Sequence, residues 1–181
     1  MNNFQFPNPV KVVFGKGTIA RLSALIPAGS RVLMVYGGGS IKKNGIYDQV
    51  TNALNGFEVT EFSGIEANPH YETCMKAVDV VKEKNIDFLL AVGGGSVIDA
   101  TKFIAAAYYY EGEPWDILSK GGVIKKALPL GVVLTLSATG SEMNERSVIS
   151  RAETREKLNF ASPLVFPQFA ILDQEVTYSL P

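Results

Sequence analysis

Five short stretches of the chain are rich in apolar and β-branched residues: Arg31 to Tyr36 (RVLMVY), Phe57 to Phe62, Asp87 to Val92 (DFLLAV), Leu130 to Leu136 (LGVVLTL) and Phe169 to Asp173 (FAILD). Runs that are apolar on both faces predict buried, parallel strands, because a strand with one wet face alternates. Between them, apolar residues return at helical spacing, at Ile46, Val50, Ala53 and Leu54 and again at Cys74, Ala77, Val78 and Val81. That i, i+3/i+4, i+7/i+8 rhythm predicts helices with one buried stripe. Strands alternating with helices imply βαβ crossovers, so the fold class is α/β, a Rossmann-like parallel sheet flanked by helices.

Two stretches break the rhythm. Val10 to Phe14, followed by Gly15 and Gly17, predicts an added N-terminal strand; Arg146 to Phe160, where VIS and KLNF flank a polar RAETRE turn, predicts a β-hairpin. No linker, low-complexity tract or charge block divides residues 1–181, which are read as one domain that folds alone. Two GGGS tetrapeptides recur about 56 residues apart, but their flanking sequences do not repeat.

The composition is that of an ordinary globular protein, with 46% hydrophobic and 19% charged residues. Seventeen basic residues against 18 acidic ones leave a net charge of -1, which offers no basic field for a phosphate backbone, so nucleic acid is not an expected partner. No apolar run approaches the roughly 18 to 20 residues needed to span a bilayer, so no membrane partner is expected. The single cysteine, Cys74, cannot form an internal disulfide, and MNNFQFPNPV lacks the charged and apolar regions of a signal peptide. The expected location is the cytoplasm.

The candidate chemistry lies in glycine turns that directly follow two strand runs. RVLMVY leads into Gly37-Gly38-Gly39-Ser40, and DFLLAV into Gly93-Gly94-Gly95-Ser96. A strand that ends in glycines and opens a helix lets the backbone approach a diphosphate, while the free N–H groups and dipole of the helix favour the anion. Two such turns at C-terminal strand ends, where open α/β sheets bind ligands, point to a nucleotide, although neither matches G-x-G-x-x-G. Glu58 or Glu61 stands at about the spacing of an acid that holds a ribose 2′-OH; both also fit solvated strand residues. Asp99 and Lys102 follow in S-V-I-D-A-T-K, placing Asp99 in the first helical turn, where it would complement the dipole, with Lys102 a turn later as a surface charge. Asn68-Pro69 reads as a helix start, with Asn68 as N-cap. Thr135, Ser137, Thr139, Gly140 and Ser141 form a hydroxyl-rich stretch after the LGVVLTL run.

Taken together, F-G-K-G at 14 to 17, G-G-G-S at 37 to 40, E-A-N-P at 66 to 69, G-G-G-S-V-I-D-A-T-K at 93 to 102 and T-L-S-A-T-G-S-E at 135 to 142 resemble the iron-containing (group III) alcohol dehydrogenases. The likeness is strongest to the NADP-dependent butanol dehydrogenase and broad-range aldehyde reductase branch, where the first turn reads G-G-G-S-x-K-K. The resemblance implies a dehydroquinate synthase-like N-terminal domain that binds NADP, with NAD less favoured. It places Gly38 and Ser40 beside the adenosine 2′-phosphate, with Gly37 and Gly39 of the same turn also binding the cofactor, Gly94, Gly95 and Ser96 on the pyrophosphate, and Asn68 beside the cofactor. Asp99 would lie near the nicotinamide end, with Lys102 in the same set, while Thr135, Ser137 and Ser141 line the path and Lys157 reaches a phosphate or ribose.

The resemblance also implies an alcohol or aldehyde substrate, a homodimer formed through the early strand edge, and a helical C-terminal domain that carries iron or zinc on one aspartate and three histidines. That domain is expected to be missing, because the one histidine, His70, cannot make a metal site, and Leu180-Pro181 falls about where the domain would begin. No catalytic residue and no metal ligand is expected in these residues. Two other readings remain open at this point: a stand-alone nucleotide-binding module, and an NAD-dependent glycerol dehydrogenase- or dehydroquinate synthase-like enzyme.

Overall fold

A computed structural model of the chain describes residue 5 and residues 7–178. The MNNFQFPNPV stretch partly, and the Leu180-Pro181 end wholly, lie outside the described residues. All five apolar runs become strands of one parallel sheet, and the early Val10 to Phe14 run joins them as its sixth strand. The strands are β1 (Lys11–Phe14), β2 (Arg31–Tyr36), β3 (Glu58–Phe62), β4 (Phe88–Gly94), β5 (Leu130–Leu136) and, after a hairpin of β6 (Arg146–Arg151) and β7 (Glu156–Ala161), β8 (Phe169–Leu172). Their order across the sheet is β1-β8-β5-β4-β2-β3, and every neighbouring pair is parallel.

The helices are α1 (Leu22–Leu25), α2 (Ser40–Lys43), α3 (Ile46–Ala53), α4 (Tyr71–Glu83), α5 (Gly95–Ala107) and α6 (Asp116–Ser119). Because alternate side chains of a strand face opposite ways, β2 and β4 feed two cores. Val32, Met34, Tyr36, Phe88, Leu90 and Val92 pack beneath Ile46 and Val50 of α3. Leu33, Val35, Leu89 and Ala91 pack on the other face against Cys74, Ala77, Val78 and Val81 of α4 and against α5. The chain therefore leaves β2 toward one face and β4 toward the other. These two strands are neighbours, and their diverging connections open a crevice at the carboxyl edge, the switch point at which open α/β sheets take ligands.

The expected position of Asp99 in the first helical turn is corrected by the structure. The strand runs to Gly94 and α5 begins directly at Gly95, so the first turn carries no acid. Gly94, at φ -88° and ψ -169°, makes this change from extended to helical backbone without an intervening loop. Asn68-Pro69 does not start α4 either. His70, in an extended conformation, occupies the N-cap position ahead of Tyr71, and the Pro69 carbonyl instead accepts from the Ser150 backbone N–H. The pairing of His70 with Ser150 thus docks the hairpin where a cap was expected.

The same hairpin explains why α5 has no polar face. Ile149 and Phe160 cover its outer side while the sheet covers the inner one, so Lys102, expected as a surface charge, is fully buried. A helix buried on both sides carries apolar residues all round.

Candidate functional site

The crevice is a cavity of about 260 Å³ lined by Gly37, Gly39, Ser40, Ile41, Asn44, Val92, Gly93, Gly94, Val97, Thr135 and Leu136. It thus collects the ends of β2, β4 and β5 together with the first turn of α5. The two glycine turns shape it differently. A Cβ at Gly38 would meet nothing within 4 Å, so this turn leaves open space beside exposed backbone. A Cβ at Gly95 would stand 2.5 Å from Thr139 Oγ1, and one at Gly94 would stand 3.2 Å from Leu136 Cβ. The second turn is bare so that the segment after β5 can close down on it. No side chain caps α5, which leaves its first N–H groups without a side-chain partner at the positive end of the helix dipole, beside the crevice. Vacant space, bare backbone and an uncapped helix of 13 residues suit the phosphates of a dinucleotide.

Of the residues singled out in the sequence, Gly37, Gly39, Ser40, Gly94 and Thr135 line this cavity, and Gly38 and Gly95 adjoin it. Ser96 donates its hydroxyl to the Ala67 carbonyl, and exposed Lys157 donates to Asn68 Oδ1 at 2.8 Å. Those two bonds tie the second turn, the segment before α4 and the hairpin into one rim. Ser137 lies apart, in a depression of about 170 Å³ with Phe14, Leu134, Glu142 and Leu172. Sequence reasoning missed Asn44, Ile41, Val97 and Leu136 as crevice residues, and it gave Thr139 only as part of a hydroxyl-rich stretch. Asn44 follows Ser40 by one helical turn and Val97 follows the second turn directly, so spacing could have found both.

Asp99, Lys102 and Ser141 face one another beneath the rim rather than the opening. Lys102 Nζ donates to the Ser141 carbonyl at 2.6 Å, Ser141 Oγ at 3.0 Å, Asn144 Oδ1 at 3.1 Å and the Arg146 carbonyl at 2.8 Å. Ser141 Oγ in turn donates to Asp99 Oδ1 at 2.6 Å, and the Val148 N–H donates to Asp99 Oδ2 at 3.0 Å. Burial pushes the Asp99 carboxyl up, against the Ser141 and Val148 hydrogen bonds and the Lys102 charge. Burial also lowers Lys102 to about 8, while Asp99, Glu145 and Glu142 pull the other way. Desolvation moves both groups toward neutrality.

Glu61 does not extend freely toward a ribose. It accepts from Tyr36 at 2.7 Å and Tyr47 at 2.5 Å, with Lys42 Nζ 3.6 Å away and set over both rings. Burial raises this carboxyl, but the two phenols and the lysine together hold it below its ordinary value. Glu58, the other candidate, opens β3 at the far end of the strand from the crevice.

Among the described residues, no three His, Cys, Asp or Glu side chains come together to hold a metal ion. His70 Nδ1 has one acidic neighbour, Glu66 Oε1 at 3.9 Å, and Cys74 is buried in the core. These residues do not fit iron or zinc, which need three or four protein ligands. A larger cavity of about 430 Å³, lined by Ala106, Tyr109, Tyr110 and Lys126 among others, lies at the opposite end of α5, away from the glycine turns. No described helix is long and apolar enough to cross a membrane.

Comparison with known proteins gives the same assignment as the motifs. The chain is 57% identical over 184 residues to the NADPH-dependent aldehyde reductase YqhD of Escherichia coli, covering 100% of this chain and 48% of that protein. It is 56% identical over 184 residues to a probable NADH-dependent butanol dehydrogenase 1 of Bacillus subtilis, again covering 100% of this chain and 48% of the relative. The crystal structure of E. coli YqhD superposes with a TM-score of 0.95 at 57% identity, over 99% of this chain and 47% of the other. The chain thus spans about half the length of the curated relatives it matches. Residues 9–174 match the family model described as iron-containing alcohol dehydrogenase, and the chain belongs to that family.

Proposed function

We propose that the chain binds NADP(H) in the crevice between β2 and β4, as the dinucleotide-binding half of a metal-dependent alcohol dehydrogenase or aldehyde reductase. The observation that carries this reading is the open space beside Gly38, set against the uncapped start of α5 at the switch point of the sheet. The nicotinamide, when bound, gives or takes the hydride exchanged with a small alcohol or aldehyde. This chain's part is placement: Gly37 to Ser40 receive the adenosine phosphate, Gly94, Gly95 and Ser96 the pyrophosphate, and Asn68, Thr135 and Lys157 border the remainder.

NADP is favoured over NAD because the first turn, Gly37 to Ser40, carries no carboxylate to repel a 2′-phosphate. The nearby acid Glu61 is compensated by Tyr36, Tyr47 and Lys42. The names of the relatives divide between NADPH and NADH, so the preference rests on this local chemistry. The metal and most of the substrate pocket belong, in this reading, to the half of the relatives' length that the chain does not span. Exposed Phe14 and Leu136, at the carboxyl ends of β1 and β5, favour a docking partner over a stand-alone module. The setting proposed is cytoplasmic, and the assembly a homodimer joined along β1, an edge of the sheet.

Calorimetric titration of the 181-residue chain with NADPH and with NADH, alongside metal analysis, tests the proposal. The expected result is tighter NADPH binding, no retained metal and no aldehyde reduction. Binding of neither nucleotide would overturn it, and tighter NADH binding would overturn the preference.

A further inference from the structure

One buried cation holds together a wall of the crevice that its own side chain does not reach. Lys102 has no solvent exposure, and its four acceptors come from one segment that follows β5: the Ser141 carbonyl and hydroxyl, Asn144 Oδ1 and the Arg146 carbonyl. An ammonium has three protons for these four oxygens, so they compete for one centre and are drawn around it.

The acceptors are themselves linked onward. Asn144 donates to the Gly140 carbonyl and accepts from the Arg146 N–H, and the Ser141 N–H reaches Thr139 Oγ1 at 3.4 Å. Thr139 is the residue that closes on Gly95. On the far side, Ser147 donates to the Asp99 carbonyl, Val148 to the Asp99 carboxylate, and Ser150 to the Pro69 carbonyl. Hydrogen bonds therefore run from Lys102 to Thr139, which packs on the second glycine turn, in one direction, and from Asp99 through the hairpin to Pro69 beside Asn68 in the other.

We propose that Lys102 is a positioning residue: its ammonium sets residues 139–148 against α5 and thereby fixes Thr139 on the second glycine turn, beside the nucleotide crevice, and the hairpin that carries Lys157. The consequence for a nucleotide rests on the cofactor reading above; the ordering of the segment does not. The charged groups acting on Lys102 are Asp99 on its own helix and Glu142 and Glu145 on the segment; from the hairpin, Arg146 meets it through the backbone carbonyl, and the Lys157 charge acts on Asp99. None of them is a histidine or a thiol. Loss of the Lys102 proton removes one donor from a set already short of donors, so the segment loosens as pH rises through about 8.

The test compares the 181-residue chain with Lys102→Met, which keeps most of the length of the side chain and removes the charge, and with Asn144→Ala, which removes an acceptor from the segment side. Amide hydrogen exchange reads the segment directly. The expected outcome is unchanged far-ultraviolet circular dichroism, with the amides of residues 141–148 exchanging about tenfold faster or more in both variants, in keeping with hydrogen bonds to a charged group. NADPH affinity, titrated between about pH 7.5 and 9.5, should fall in the unaltered chain as pH rises through about 8. In Lys102→Met it should be about tenfold weaker at the lower pH and flat across the range. Exchange in residues 141–148 that matches the unaltered chain in both variants would overturn the proposal. A pH-dependent fall that persists in Lys102→Met would also overturn it. Absence of NADPH binding in the unaltered chain would overturn the cofactor reading, while the exchange measurement would still decide the role of Lys102.

Discussion

A methyl group added at Gly38 and one added at Gly93 would have opposite effects, although both residues sit in turns with the same tetrapeptide. At Gly93 the new Cβ would lie 2.5 Å from Val97 Cγ2 and 2.7 Å from Val97 Cβ, inside a core that cannot yield that much. Gly93→Ala is therefore expected to cost about 1 to 3 kcal/mol of stability, read from the midpoint of a urea melt. At Gly38 the same methyl meets open space and a φ outside the left-handed region, so Gly38→Ala should leave the melt within about 0.5 kcal/mol. If that space holds the adenosine phosphate, the variant loses NADPH affinity without losing stability. Equal melts for the two variants would mean that the turns are equivalent after all. The repeated letters G-G-G-S show that backbone is bared at both places; which turn is bared for a neighbour and which for a ligand depends on Val97, Leu136 and Thr139, and this distinction was not legible in the tetrapeptides.

At the scale of elements, the apolar runs were the most readable feature. RVLMVY and LGVVLTL end at the residues where β2 and β5 end, because a strand buried on both faces admits no polar interruption. The capping argument at Asn68-Pro69 failed for a reason outside local sequence: Pro69 is buried and its carbonyl serves the hairpin, a contact between residues 81 positions apart. The edge strand β1 carries a further consequence. The Lys11 and Gly15 N–H groups donate inward, to Gln168 and Leu172 beside and along β8. In a strand the intervening N–H groups point the other way, so those of Val12 and Phe14 face the outer edge, which no other described strand covers. Val12→Pro removes one outward donor and leaves the inner ladder intact. If β1 joins two copies of the chain, sedimentation should show a dimer that Val12→Pro converts to monomer at the same concentration. A dimer that survives the substitution would place the interface elsewhere.

Across the whole molecule, the feature least legible in the sequence is also the one that governs its response to pH. Nothing local in S-V-I-D-A-T-K separates a surface lysine from a buried one; Lys102 is buried only because the hairpin folds back over α5. Its value falls from 10.5 to about 8 in the folded chain, so between those two values the unfolded chain holds a proton that the folded chain has released. Stability then rises with pH across that window and is flat with respect to this group below it. Cys74 acts in the opposite sense. Burial raises its thiol above an ordinary value of 9.0, so the stability it contributes is complete below about 9 and is lost as pH rises further. Tyr71, raised by burial and by its bond to Glu113, begins to act in the same direction as Cys74 above about 10. Unfolding free energy should therefore climb from about pH 8 to 9 by at most about 1.4 kcal/mol, level off, and decline beyond about 10. Urea melts at unit pH intervals would trace this curve. Lys102→Met should abolish the climb, and Cys74→Ala should let it continue past pH 9. A climb that persists in Lys102→Met would show that another group supplies it. Stability and NADPH affinity are thus expected to move in opposite directions above pH 8, since losing the charge relieves the burial of the ammonium while depriving the crevice wall of a donor.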